Sequence, residues 1–159
     1  MLPRGWDAAE TKIFDDPTCP EPQNITVFTD AGKTLTLTVG FRPTSASTSI
    51  QCRTGLPAGQ AATGPSVDVA GTKVPSTMLV DAFGGTPLHV FVGHTSTSAG
   101  VVNTKPFSLG GFELVIAIEQ VDPVANPKAF EPSYTDITSL SEYQAALDLL
   151  ASIKLPSGT

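Results

Sequence analysis

The sequence predicts a mainly β domain of the α+β type, in which an antiparallel sheet opens with a β-hairpin and a C-terminal amphipathic helix closes the chain. Apolar and polar residues alternate between 25 and 41, a period of two that is typical of half-buried strands. The 14 glycines and 14 prolines favour turns and short elements over long helices. A helical spacing of apolar residues follows residue 139. The length of 159 residues suits one domain.

The N-terminal segment, residues 1–23, is predicted to be an arm, and the domain itself then spans residues 24–159. The arm is acidic and contains four prolines, which cannot donate hydrogen bonds to a strand ladder. We therefore expect it to stay out of the central sheet. Because Trp6 and Phe14 are large and apolar, we expect them to pack on the domain or on a neighbouring subunit.

The β-hairpin is predicted from two strands, 25–29 and 34–41, joined by a turn at 30–33 in which Gly32 can take a positive φ angle. One face of the second strand is apolar and should be buried, and it consists of Leu35, Leu37, Val39 and Phe41. The opposite face is polar and nearly uncharged, and it consists of Thr34, Thr36, Thr38 and Arg42.

The rest of the sheet is predicted from shorter runs. We expect a strand within 45–53, a loop at 55–65, a hairpin at 66–74 that turns at Ala70 and Gly71, and strands at 77–80 and 88–92. The strongest apolar strand is 112–121. One of its faces is apolar throughout, and the other is apolar in the middle and charged towards the ends. That pattern indicates a central strand covered on both sides.

The C-terminal helix is predicted at 139–154. Ser139 and Glu142 have the spacing of a capping box, and Pro156 and Gly158 should end the helix. Its apolar stripe is wide, because it consists of Leu140, Tyr143, Ala146, Leu147, Leu149, Leu150 and Ile153. A stripe of this width exceeds what one sheet covers, so we expect part of it at a subunit interface. The residues predicted there are Trp6 and Phe14 of the arm with Tyr143, Leu147 and Leu150 of the helix.

Charge and hydropathy exclude several classes of function. Charged residues make up 15% of the chain and the net charge is −6, which argues against tight nonspecific binding to nucleic acid. A neutral surface of this kind suits protein–protein packing, because it is cheap to desolvate. No run of about 18 apolar residues occurs, so we expect no membrane span. The first residues lack the apolar core of a signal peptide, and we expect the chain to remain unexported.

No catalytic residue, metal site or cofactor is predicted. Cys19 and Cys52 have no metal-ligand spacing, and an intramolecular disulfide, an intermolecular disulfide and two free thiols all remain open. His89 and His94 are the two histidines, and five residues apart they would point to opposite faces of a strand. His94 precedes a run of Ser and Thr, but a catalytic triad is recognised by geometry that this string does not supply.

Three stretches, 25–41, 112–121 and 140–153, follow one another in an order that resembles the coat proteins of small single-stranded RNA bacteriophages. In that family the sheet pairs with the sheet of a second subunit, helices clasp the partner, and dimers build an icosahedral shell around RNA. The resemblance implies a self-assembling coat subunit in the virion, assembled in the host cytoplasm. The family's RNA-binding residues match no motif of this chain. The candidate RNA-facing residues, Thr36, Thr38, Arg42 and Arg53, are named instead because a Thr-rich strand face with a few cations can hydrogen-bond a nucleic-acid backbone.

The chain departs from that family in its acidic balance, its leading arm and its single clear helix. Two alternatives therefore stay open. One is a phage decoration or tail protein with a β-sandwich fold. The other is a non-catalytic ligand- or carbohydrate-binding β-module, for which one Trp and two Tyr are few, since sugar platforms use exposed aromatic rings.

Overall fold

The computed structural model describes residues 2–12, 24–43, 56–57, 61–80, 86–93, 95–98, 101–104, 107–121, 125–126, 131–132 and 136–154. Within these ranges lies one α-helix, α1 (Ser141–Ala151), which follows a 3-10 turn at Ile137–Ser139. The strands are β1 (Asp7–Lys12), β2 (Asn24–Thr29), β3 (Leu35–Pro43), β4 (Leu56–Pro57), β5 (Ala61–Thr63), β6 (Val67–Val69), β7 (Thr72–Val74), β8 (Ser76–Val80), β9 (Pro87–Val92), β10 (Thr95–Ser98), β11 (Val101–Thr104), β12 (Phe107–Leu109), β13 (Phe112–Gln120), β14 (Ala125–Asn126) and β15 (Glu131–Pro132).

An antiparallel sheet of eight strands forms the body of the fold. Its order is β1-β2-β3-β13-β9-β8-β5, and β12 pairs with the beginning of β13. Strand β13 lies at the centre and pairs with β3 over its whole length, from Phe112 opposite Pro43 to Gln120 opposite Leu35. Three smaller sheets are β10-β11-β4, β14-β15 and β6-β7. The predicted fold class, an antiparallel sheet with a C-terminal helix, is confirmed.

The hairpin β2–β3 is closed by its own turn residue, Asp30. This side chain is only 4% exposed, and its Oδ1 accepts the backbone N–H groups of Thr34 at 2.7 Å and Leu35 at 2.9 Å. These two charge-assisted hydrogen bonds compensate for the burial of the carboxylate. The hairpin prediction is confirmed, but the positive φ angle falls on Lys33, at 53°, and not on Gly32.

The main core lies between the sheet and α1, on what we call the helix face of the sheet. The predicted alternation along β3 is confirmed there for Leu35, Leu37 and Val39, which are buried, whereas the side chain of Phe41 lies outside what the structure describes. Ile116 and Ile118 of β13 stand beside them. The layer above the sheet contributes Val67, Val69, Val74, Ile137, Tyr143, Ala146 and Leu150. Burial of each large aliphatic side chain stabilises the fold by about 1.5–3 kcal/mol before entropy is subtracted.

The opposite side, which we call the far face, is also buried at its centre. Val115 and Ala117 of β13 point there, and Ala117 is 1% exposed. Ala117 clusters with Phe91 and Leu79 of the neighbouring strands. The prediction that 112–121 forms a central strand covered on both sides is therefore confirmed.

The expectation that the arm stays out of the sheet is wrong for residues 7–12. They form β1, which pairs antiparallel with β2 from Asp7 opposite Thr29 to Lys12 opposite Asn24. The physical reason is that none of the four prolines of the arm falls within these six residues. Each backbone N–H of β1 is therefore available to a ladder.

Two further expectations need correction. Part of the predicted loop at 55–65 is strand, because Ala61–Thr63 pairs with β8. The capping box is also wrong: α1 begins at Ser141 after Leu140, whose side chain makes no capping bond, and its last helical residue is Ala151. A side-chain cap is found before the 3-10 turn, where the carboxylate of Asp136 accepts the backbone N–H of Thr138.

The hairpin predicted at 66–74 is confirmed as β6–β7, with Ala70 and Gly71 at φ angles of 51° and 87°. The predictions that lie outside the described residues concern Phe14, Cys19, the strand within 45–53 that includes Cys52 and Arg53, His94, Pro156 and Gly158.

Candidate assembly surface

A tight turn at the N-terminus sets the course of β1. The backbone N–H of Trp6 donates to the carbonyl of Pro3 at 3.1 Å, and Gly5 between them has a φ angle of 84°. A side chain at Gly5 would bring its Cβ within 2.8 Å of the Ala31 Cβ. Only glycine combines this φ angle with this approach, so Gly5 lets the turn lie against the β2–β3 turn.

Trp6 anchors the strand that follows. Its side chain is half-buried and packs against the main core cluster of its own chain. The sequence predicted Trp6 on the domain or at a subunit interface, and the structure places it on the domain. An indole in this position holds the first residue of β1 beside Thr29 of β2.

Strand β1 forms one end of the eight-stranded sheet. Asp7, Ala8 and Ala9 are all exposed. Because successive residues of a strand point to opposite faces, three consecutive exposed residues mean that β1 is uncovered on both faces. Within the described ranges β2 is its one strand partner, so the other side of β1, here called the β1 edge, presents unpaired backbone N–H and C=O groups.

Sequence reasoning missed the β1 edge because it judged residues 1–23 as one segment. The signal was a run of eleven residues without proline or glycine, between Gly5 and Pro17. The alternation within the run is weak, since alanine fills positions on both faces. An exposed edge strand has no apolar face for a pattern to show.

The helix residues predicted at a subunit interface lie mainly inside the chain. Leu150 is 0% exposed and Tyr143 is 6% exposed, and both belong to the main core. Leu147 is half-buried and packs against the same core. The expectation that the burial of Leu150 needs a second subunit is therefore wrong, because the sheet, the β6–β7 hairpin and the 3-10 turn already cover this side of the helix.

Tyr143 carries an unusual feature in that core. Its hydroxyl oxygen is buried and has no hydrogen-bond partner within the described part of the chain. Burial raises the pKa of the Tyr143 phenol above its ordinary value, and the negative charge of Asp136 raises it further.

The predicted RNA-facing positions meet acidic residues on the far face. Thr36 and Thr38 are half-exposed, and Thr36 lies opposite Glu119 of β13. At the other end of the same pairing, Glu113 lies opposite Arg42. Paired residues of neighbouring strands share a face, so both glutamates occupy the face of the threonines. Such a surface is a poor match for phosphate.

The described residues contain no group of three or more His, Cys, Asp or Glu that could hold a metal ion. Within the same ranges, no helix has the length and apolar character that a membrane crossing requires. His89 of β9 lies opposite Glu119 on one side and Leu79 on the other.

Comparison with known protein families, curated proteins and solved structures finds no match to this chain.

Proposed function

We propose that this chain is a structural subunit that assembles with copies of itself into a virus shell, as the resemblance to phage coat proteins implies. The β1 edge supports self-assembly most directly. It is six residues long, uncovered on both faces at Asp7, Ala8 and Ala9, and ends a large antiparallel sheet. An edge of this kind is a template for pairing with another chain.

The composition of the chain supports the same role. With 15% charged residues, much of the surface must be made of neutral side chains, whose desolvation in an interface costs little. The order of a leading hairpin, a central apolar strand and a C-terminal helix supports the coat family as the form of the assembly.

The proposed assembly differs from the family pattern in one respect. Helix α1 packs on the sheet of its own chain through Tyr143, Ala146 and Leu150. One of the subunit contacts is therefore assigned to the β1 edge, and a helix that clasps a partner is not required. The resulting particle forms in the host cytoplasm and needs no catalytic residue or cofactor from this chain.

Contact with enclosed RNA is proposed to be weak on the far face. Glu119 of β13 lies opposite Thr36, and Glu113 lies on the same face of β13; acidic residues repel phosphate. We expect any RNA in the particle to be held without tight binding to these positions. Because few phosphate contacts release few counterions, RNA binding at these positions should depend only weakly on salt concentration.

Electron microscopy of the purified protein tests the proposal. The expected result is closed particles of uniform diameter, with an ultraviolet absorbance ratio that reports whether RNA is inside. A stable monomer at micromolar concentration by light scattering would reject self-assembly. Open rings or fibres of uniform width would reject the proposal of a closed shell. They would still support self-assembly, as expected of a tail or decoration protein.

A further inference from the structure

We propose that His89 and Glu119 form a pH-sensitive contact between β9 and β13, which strengthens when the imidazole of His89 takes up a proton. Mildly acidic solution should then hold the two strands together more firmly than neutral solution does. The contact lies on the far face and involves no residue of the β1 edge, so it does not depend on the proposed assembly.

The ladder between β13 and β9 joins two parts of the eight-stranded sheet. Strands β1, β2 and β3 lie on one side of it, and β8 and β5 lie on the other. The ladder between β13 and β3 is nine residues long, whereas the ladder between β13 and β9 has four, from Ile116 opposite Val92 to Glu119 opposite His89. His89 and Glu119 therefore form its last pair, at the point where two strands separate most easily.

The other residues of this ladder are apolar and buried, so their packing does not change with pH. They are Ile116, Ala117 and Ile118 of β13 with Val90, Phe91 and Val92 of β9. His89 and Glu119 are both half-buried, and they are the titratable residues of the ladder. A charge on His89 is therefore screened from Glu119 less than it would be on an open surface.

Glu119 is the charged residue that faces His89 from the neighbouring strands, within the ranges that the structure describes. Leu79 of β8 lies on the other side of His89, and Thr36 of β3 lies on the other side of Glu119. The 3-10 turn also lies against β9 and carries Asp136 before it, but this turn packs into the core on the helix face. Glu119 is therefore the described carboxylate on the face of His89.

The geometry of the pair sets the direction of the effect. Directly opposed side chains of antiparallel strands have Cβ atoms about 4.5–5.5 Å apart. A carboxylate at that distance stabilises an imidazolium, whereas burial of the Nδ1 atom of His89 favours the neutral ring. Because the side chain as a whole is only half-buried, the attraction of Glu119 outweighs this partial burial.

Folding therefore raises the pKa of His89 above the value of about 6.5 that histidine has in an unfolded chain. The stabilisation is complete below about pH 6.5 and is lost as the pH rises through the folded pKa. It is lost a second time below about pH 4, where glutamates take up protons. The contact is thus strongest between about pH 5 and pH 6.

A double-mutant cycle tests the contact. The variants are His89→Gln, Glu119→Gln and the double variant, and thermal melting is measured at about pH 5.5 and about pH 8 at one protein concentration. The coupling of the two residues should raise Tm by about 2 °C at the lower pH and by half of that or less at the higher pH. Glu113→Gln is the matched control, because Glu113 lies on the same face of β13 but opposite Arg42, and it should show no coupling to His89→Gln at either pH.

Hydrogen exchange of the wild type gives an independent measurement that needs no substitution. After correction for the intrinsic effect of pH on exchange, amides at the His89 end of β9 should be about threefold better protected at the lower pH, which corresponds to about half a unit in the pKa. The protection of β3 amides should stay constant. No coupling at the lower pH, more than half of it persisting at the higher pH, or unchanged protection of β9 would overturn the contact. Particle formation is scored separately by electron microscopy, so failure of the contact leaves the proposed function standing.

Discussion

The backbone N–H of Ala70 donates a hydrogen bond of 3.0 Å to the carbonyl oxygen of Leu150, and this bond joins the β6–β7 hairpin to the end of α1. The last carbonyl groups of a helix have no partner within the helix, so the hairpin satisfies one of them. Leu150 is fully buried beside Val67 and Val69 of the same hairpin. The hairpin and the C-terminus of the helix therefore form one packed unit.

Two substitutions in the hairpin turn should have opposite effects on stability. Ala70 has a φ angle of 51°, which an L side chain adopts at a cost, so Ala70→Gly should raise the free energy of unfolding by up to about 1 kcal/mol. Gly71 has a φ angle of 87° and open space around it, so Gly71→Ala should lower it by about 1 kcal/mol through strain alone. Urea denaturation measures both, and changes of the same sign would contradict this account of the turn.

Leu150→Ala should destabilise the chain by about 2–5 kcal/mol, because the side chain is fully buried within one chain. The loss in Tm relative to the wild type should stay constant over a hundredfold range of protein concentration. Leu149→Ala is the matched control, since Leu149 is half-buried and should lose less. A loss for Leu150→Ala that grows on dilution would place this side chain at a subunit interface after all.

Tyr143→Phe should leave the stability at pH 7 unchanged or raise it by up to about 1 kcal/mol. The hydroxyl is buried without a partner within the described residues, so its removal ends a desolvation cost. Thermal melting at pH 7 measures the difference. A loss above about 1 kcal/mol would reveal a hydrogen bond to this hydroxyl.

The wild type should also lose stability relative to Tyr143→Phe in strongly alkaline solution. The pKa of the phenol is raised in the folded chain, so folding favours the protonated form. This contribution is complete below the unfolded pKa of about 10 and is lost as the pH rises through the folded pKa. Melting curves of both proteins from pH 8 upward check the sign, and parallel curves would contradict it.

Gly5→Ala should weaken the attachment of β1 to β2. The new Cβ would approach Ala31 at 2.8 Å, and the φ angle of 84° is unfavourable for alanine. Hydrogen exchange at the β1 amides should accelerate about tenfold, while amides of β13 keep their protection. Gly32→Ala is the control, because its contacts of 3.3 and 3.4 Å to Thr34 and Asp30 side chains can relax. Equal effects of both variants would contradict the special role of Gly5.

The sequence predicted the elements whose burial is one-sided or complete. Strand β3 shows its buried face through Leu35, Leu37 and Val39, and β13 shows its double burial through apolar residues on both faces. The spacing of apolar residues along the sequence follows directly from which side chains are buried, so it predicts these strands and the helix. At Asp7, Ala8 and Ala9 strand β1 is exposed on both faces, so the hydrophobic period does not reveal it. The prolines elsewhere in the arm favour the opposite conclusion, that the segment is no strand.

The sequence does not predict the capping residue or which apolar residues of α1 are buried within the chain. The reason differs from that for β1. Ser139 and Glu142 have the spacing of a capping box, but Asp136 starts a 3-10 turn three residues earlier and Ser139 donates to the Asp136 carbonyl instead. The width of the apolar stripe predicts a subunit contact. The β6–β7 hairpin covers that side, and a hairpin folding over a helix end is a tertiary event that local spacing does not encode.

The most direct test of assembly through the β1 edge is negative-stain electron microscopy of the wild type beside Ala9→Lys and Ala151→Lys. Both substituted alanines are exposed, and Ala151 is the last residue of α1 and no part of β1. Assembly through the β1 edge predicts closed particles for the wild type and Ala151→Lys, and folded subunits without particles for Ala9→Lys. Particles of unchanged form and yield with Ala9→Lys would contradict it.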